Sequence, residues 1–165
     1  MEREIDLKEI SDGRLYSSSD MVKADCGDCK GCSACCQGMG SSILLDPYDI
    51  YRLTQGTGMA FEDLLKGSIE LNMSDGLILP NLKMAGEKEA CSFLNGEGRC
   101  SVHPFRPGFC RLFPLGRRYE NGSFQYFLQT HECKKENRTK VKVRKWIDIP
   151  DFGKYEKFVS DWHYF

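Results

Sequence analysis

Apolar positions fall into short runs whose period changes along the chain. Residues 1–25 hold few apolar side chains and include the polar run Ser17-Ser18-Ser19-Asp20, which predicts an extended arm with a short strand near Tyr16. Cys26 to Gly40 is glycine-rich and aperiodic, so it reads as a tight loop. Ser41 to Leu45 is a short apolar run and a strand candidate. Asp46-Pro47 opens a helix, with Asp as N-cap and Pro at the first helical position. Tyr48, Ile50, Tyr51 and Leu53 continue it and Gly56 should stop it. A second helix is expected from Thr57 or Gly58, through Phe61, Leu64 and Leu65, to Gly67. Gly76 to Met84 reads as a strand interrupted by Pro80.

The second half changes to turn-punctuated runs. Cys91–Leu94 and Arg99–Val102 flank Asn95-Gly96-Glu97-Gly98, a hairpin signal that would bring Cys91 and Cys100 onto adjacent strands. Pro107 suits the first turn of a short helix and Pro114 ends it. Arg117 to Leu128 carries Asn121-Gly122 between two strand-like runs, a second hairpin. Val141-Lys142-Val143 alternates like a strand. Phe152, Tyr155, Phe158, Val159 and Trp162 recur at helical spacing and predict a C-terminal amphipathic helix. Together these elements predict an α+β fold: an arm over 1–25, then one small domain over 26–165, with short hairpins and a few helices arranged around a cysteine-ligated metal site.

Composition narrows the partners. The length suits one compact domain that can bury its core without disulfides. A net charge of -1 points to neither nucleic acid nor a membrane surface, and no apolar run approaches the ~20 residues that span a bilayer. The basic run Lys134 to Lys145 reads as a solvated face, because nothing else in the charge balance favours nucleic acid. The start, Met1 to Asp6, lacks the positive and apolar regions of a secretory signal, so a cytoplasmic protein is expected. Dense thiols in a reducing compartment bind metal more often than they pair, and nine is an odd number for a disulfide framework.

The thiols are then the candidate chemistry. Five fall between Cys26 and Cys36, and Cys91, Cys100, Cys110 and Cys133 follow. Soft thiolates select zinc, iron–sulfur clusters or monovalent copper. Cys26-x2-Cys29-x2-Cys32-x3-Cys36 has the ligand spacing of a bacterial [4Fe–4S] loop, although Gln37 stands where that loop has Pro and no second copy occurs. Zinc competes, since two CxxC pairs can build a tetrahedral site, yet the later thiols are too widely spaced for a ribbon. His103 and His131 lie near cysteines without finger spacing.

Those residues resemble a known family. Cys29-x2-Cys32-x2-Cys35-Cys36 is similar to the CxxCxxCC signature of the YkgJ-type cysteine-cluster proteins, described as zinc- or iron-chelating domains. Cys91-Ser-Phe-Leu, Gly98-Arg-Cys100 and Arg106-Pro107-x2-Cys110-Arg111-Leu-Phe113-Pro114 resemble its second signature, with Cys133 and Val143-Arg-Lys-Trp146 following in place. Cys26 is an extra thiol ahead of the pattern, and His103 replaces an aromatic. The resemblance implies metal held by Cys29, Cys32, Cys35, Cys36, Cys91, Cys100, Cys110 and Cys133. Members are often labelled iron–sulfur oxidoreductases, and one branch is associated with flagellin lysine methylation. No glycine-rich nucleotide loop or CxxxCxxC motif accompanies the thiols here, so methylation is not carried over.

Arg106 and Arg111 flank Cys110 and are the cofactor-binding candidates: guanidinium groups can offset thiolate charge and lower thiol pKa values, or hold an anion bidentately. A structural salt bridge or solvated face weighs equally for them. Asp46 and Asp49 are acids beside a helix start, where capping is the simpler role. The favoured reading is an iron–sulfur ([4Fe–4S]-type) protein acting as a redox or oxidoreductase component with a redox partner protein. The alternatives are a zinc-chelating structural or interaction module, and a metal carrier.

Overall fold

The structure is a computed structural model and describes residues 6–165. Residues 1–5, where the acidic start and the head of the expected arm fall, lie outside the described residues. The elements run α1 (Leu7–Ile10), β1 (Met21–Asp25), a 3-10 turn at Ala34–Cys36, α2 (Pro47–Thr57), α3 (Phe61–Gly67), β2 (Ile69–Ser74), β3 (Leu77–Leu82), β4 (Met84–Ala85), β5 (Ala90–Cys91), a 3-10 turn at His103–Phe105, α4 (Gly108–Leu112), β6 (Leu115–Glu120), β7 (Ser123–Leu128), β8 (Thr139–Lys142), α5 (Val143–Ile147) and α6 (Phe152–Tyr164). The strands form four antiparallel pairs, β1 with β8, β2 with β3, β4 with β5 and β6 with β7. This is an α+β mixture, as the period changes predict. The described chain divides into two compact units, Cys29–Cys110 on the one hand and residues 6–28 with Arg111–Phe165 on the other.

In the first unit the expected helix start is present. Asp46 accepts the Asp49 N–H at 2.8 Å, and Asp49 accepts the Asp46 N–H at 3.2 Å, so the two acids close a capping box ahead of α2. The helix runs past Gly56, where a stop is expected, to Gly58, whose φ of 69° makes the left-handed cap. β3 contains Pro80, which is tolerated because its carbonyl, not an absent N–H, serves the segment alongside: it accepts the Leu45 N–H at 2.9 Å. The run Ser41 to Leu45 is therefore no strand. It lies along β3 through a single bridge, Leu44 to Asn81. β2 has no counterpart in the sequence reading. The expected hairpin over Cys91–Val102 shrinks to one bridge between Leu94 and Cys100, with Cys91 paired instead to Met84. Ile43, Leu45, Leu53, Leu64, Ile69, Leu82, Phe93 and Val102 form the core of this unit. Each buried side chain of this size contributes about 1.5–3 kcal/mol relative to exposure.

The second unit is built on two hairpin-like pairs. β6 and β7 run in register from Leu115–Leu128 to Glu120–Ser123. Asn121 and Gly122 turn between them with φ of 52° and 74°, the primed geometry that matches strand twist. The segment expected as an arm contains α1 and β1, and β1 pairs with β8 through Met21–Lys142 and Val22–Val141. That pairing buries Val22 and Ala24. The alternation at 141–143 ends one residue early, because Val143 begins α5. α4 ends at Leu112, just ahead of the cis bond between Phe113 and Pro114, close to the boundary expected there. Tyr155 and Val159 are the buried face of α6, as their spacing predicts, whereas Trp162 is exposed. Among the described residues no helix is long and apolar enough to cross a membrane.

Candidate metal centre

Three segments of the first unit bring thiols together. Cys35 and Cys36 sit on the 3-10 turn that follows Cys32. Ahead of it, the Cys32 N–H bonds the Cys29 carbonyl at 3.1 Å across a turn in which Gly31 takes φ 68°, a conformation that glycine adopts without cost. After it, Gln37 bridges Ala90 and the Gly38 N–H bonds the Glu89 carbonyl at 2.9 Å. The pair Cys35-Cys36 is thereby anchored to the start of β5, where Cys91 stands.

Cys100 comes back to the same place because its loop folds on itself. The Asn95 side chain accepts the Glu97 and Arg99 N–H groups at 3.0 and 2.9 Å, and the Ser101 N–H reaches the Phe93 carbonyl at 2.8 Å. Cys110 arrives on α4. That helix is tied to α2 by Asp49 Oδ1, which accepts the Gly108 N–H at 2.7 Å, and the 3-10 turn ahead of it by Arg52, which donates Nη2 to the Pro104 carbonyl at 3.0 Å. Cys91 belongs to the core cluster itself, and Cys36, Cys100 and Cys110 pack against it from one apolar neighbourhood.

The thiols act on one another. Cys35 and Cys36 share a hydrogen bond, which lowers the Cys35 pKa and raises that of Cys36. The nearby Arg106 guanidinium adds to the lowering of Cys35. Burial pushes Cys91, Cys100 and Cys110 upward. Cys110 is raised further by Cys91, Cys100, Cys35 and the Asp49 carboxylate. Five thiols and one guanidinium thus form a single electrostatic group. Arg106 is held in place by its Nη1 bond to the His103 carbonyl at 2.7 Å.

The remaining candidates fall as follows. Cys29 and Cys32 occupy the turn leading into Cys35. Cys133 and the extra thiol Cys26 belong to the second unit. Arg111 is buried and donates Nη1 to the Ile147 and Asp148 carbonyls at 3.1 and 2.8 Å, which closes the C-terminus of α5. Among the described residues no cysteine is in a disulfide. Among the described residues no three His, Cys, Asp or Glu side chains stand ready to grip one ion as they are. The donor set nevertheless fits a soft metal, since neighbouring thiols in an apolar setting are unsuited to hard cations. The reach of Asp49 to Gly108 is absent from the sequence reading. The spacing Asp46-x-x-Asp49 signals the capping box alone.

A family described as "CxxCxxCC: Putative zinc- or iron-chelating domain" matches residues 28–146, most of the chain. No curated protein and no solved structure matches it.

Proposed function

The chain belongs to the CxxCxxCC family of zinc- or iron-chelating domains, and from that premise we propose that its thiolates hold an iron–sulfur cluster of the [4Fe–4S] type in a redox component. The observation that carries this reading is the thiol spacing of the first loop, set beside the gathering of thiols in one place. Cys35, Cys36, Cys91, Cys100 and Cys110 share a neighbourhood, with Cys29 and Cys32 in the adjoining turn. A tetrahedral zinc site and a [4Fe–4S] cluster each take four thiolates, so the gathering of thiols supports a soft-metal centre and the loop spacing selects the cluster. The x2, x2, x3 spacing of the first loop is also that of a cluster-binding loop.

The protein's own contribution is the setting. Cys35, Cys91, Cys100 and Cys110 supply thiolates from separate segments, and Arg106 offsets the charge they gather. Phe105 packs against the same core as Cys36, Cys100 and Cys110, and apolar surroundings of this kind tune a bound cluster's potential. A cluster of this kind supplies one-electron transfer when bound, so the partner expected is a redox protein.

The test is elemental analysis of the full chain purified without oxygen. Iron and acid-labile sulfide in matching amounts, with broad visible absorption, support the proposal. Colourless protein carrying stoichiometric zinc and no sulfide overturns it in favour of a structural zinc module.

A further inference from the structure

The α2 carboxylate of Asp49 does more than cap a helix. A capping box needs only the reciprocal contact between Asp46 and Asp49. Here the second carboxylate oxygen, Oδ1, accepts the Gly108 N–H at 2.7 Å, 59 residues further along the chain. Asp49 is only 4% exposed, and its bond to Gly108 is buried while the cap contacts are partly so.

The recipient end is one that cannot hold itself. α4 has five residues, fewer than an isolated helix needs to nucleate. Its first N–H groups have no partners within so short a helix, and Pro107 ahead of it has no N–H at all. Gly108 therefore takes its fixed point from outside, and the carboxylate supplies it. Two residues on, Cys110 enters the apolar cluster that also contains Cys91 and Cys100.

We propose that Asp49 is a positioning residue of the thiol centre: by holding the Gly108 N–H it sets the first turn of α4 and, through that turn, where Cys110 Sγ meets the other thiols. The inference rests on the metal-binding reading above but not on which metal is bound. Loss of an outer partner of a ligand typically weakens metal binding 10- to 100-fold, and an effect of this size is expected here.

The experiment uses the metal-free full chain titrated with Co(II) alone, read by thiolate-to-cobalt charge transfer. Asp49→Ala should weaken cobalt binding about 10- to 100-fold and alter the charge-transfer band. Asp49→Asn, whose side-chain oxygen can still accept from Gly108, should restore most of both. Gly108→Pro removes the donor at a first-turn position that tolerates proline, and should repeat the Asp49→Ala spectrum. Asp46→Ala breaks the cap contact to the Asp49 N–H and should lower the melting temperature while leaving the band near that of the unmodified chain. A second readout needs no metal: Asp49→Ala should speed alkylation of Cys110 relative to Cys91 in the metal-free chain. If Asp49→Ala and Asp46→Ala bind cobalt equally well with the same spectrum, and Cys110 alkylates at an unchanged rate, the positioning role is wrong. If the unmodified chain takes up no cobalt, the metal reading fails and the alkylation rates still decide the role of Asp49.

Discussion

Burial makes Cys91, Cys100 and Cys110 hold their protons past the ordinary thiol range. A metal must displace those protons to bind. Uptake at neutral pH should therefore acidify a weakly buffered solution, and affinity should fall as pH is lowered. The metal-free chain responds with the opposite sign. These groups bind protons more tightly folded than unfolded, so their contribution to stability is complete below the unfolded thiol value of about 8.5 and is lost as pH rises above it. A urea midpoint for the metal-free chain that drops between neutral and alkaline pH is the expected result. An unchanged midpoint would mean that the thiols ionise as freely in the folded chain as in the unfolded one. The upward shifts run against the sequence, where Arg106 and Arg111 beside Cys110 point to lowered thiol pKa values; the candidate ligands alone were legible at the level of single residues, because thiol spacing carries ligand geometry. The Asp49 contact was not, because a hydrogen bond to a residue 59 positions away leaves no periodic trace.

Helix α2 shows how one contact can override a local rule. Glycine within a helix usually costs about 1 kcal/mol relative to alanine, and the sequence alone places the helix stop at Gly56. The helix instead continues, and Phe105 lies against the bare backbone there: a Cβ at Gly56 would fall 2.2 Å from the ring's Cγ. Gly56→Ala should thus reverse the usual gain and lower the urea midpoint by an amount equivalent to about 1–3 kcal/mol, the cost of overpacking. Elements defined by their own residues were readable: the Asp46-Pro47 start, the Asn121-Gly122 turn and the apolar stripe of α6. Those defined by a partner were not. Residues 91–102 carry hairpin signals, yet Cys91 pairs with Met84 across a two-residue strand. α5, with five residues, is too short for its period to register. β1 looks like a polar arm until β8 covers Val22 and Ala24.

At the scale of the whole molecule, metal and stability should move together. A ligand that binds only the folded chain raises its stability by about 2.7 kcal/mol at a hundredfold excess over its dissociation constant. Thermal unfolding of the full chain should shift upward with added metal and return with a chelator, and a midpoint indifferent to both would separate the thiols from folding. The α+β class followed from the change in hydrophobic period. The division into two units did not, since it depends on Met21 meeting Lys142. That pairing also has a consequence for how the chain is made. A ribosome delivers β1 first and its partner β8 more than a hundred residues later, on the order of ten seconds at typical synthesis rates. In that interval the whole of Cys29–Cys110 has been synthesised. Its thiols can meet their metal while β1 still waits for a strand, so loading and completion of the second unit become successive events in time.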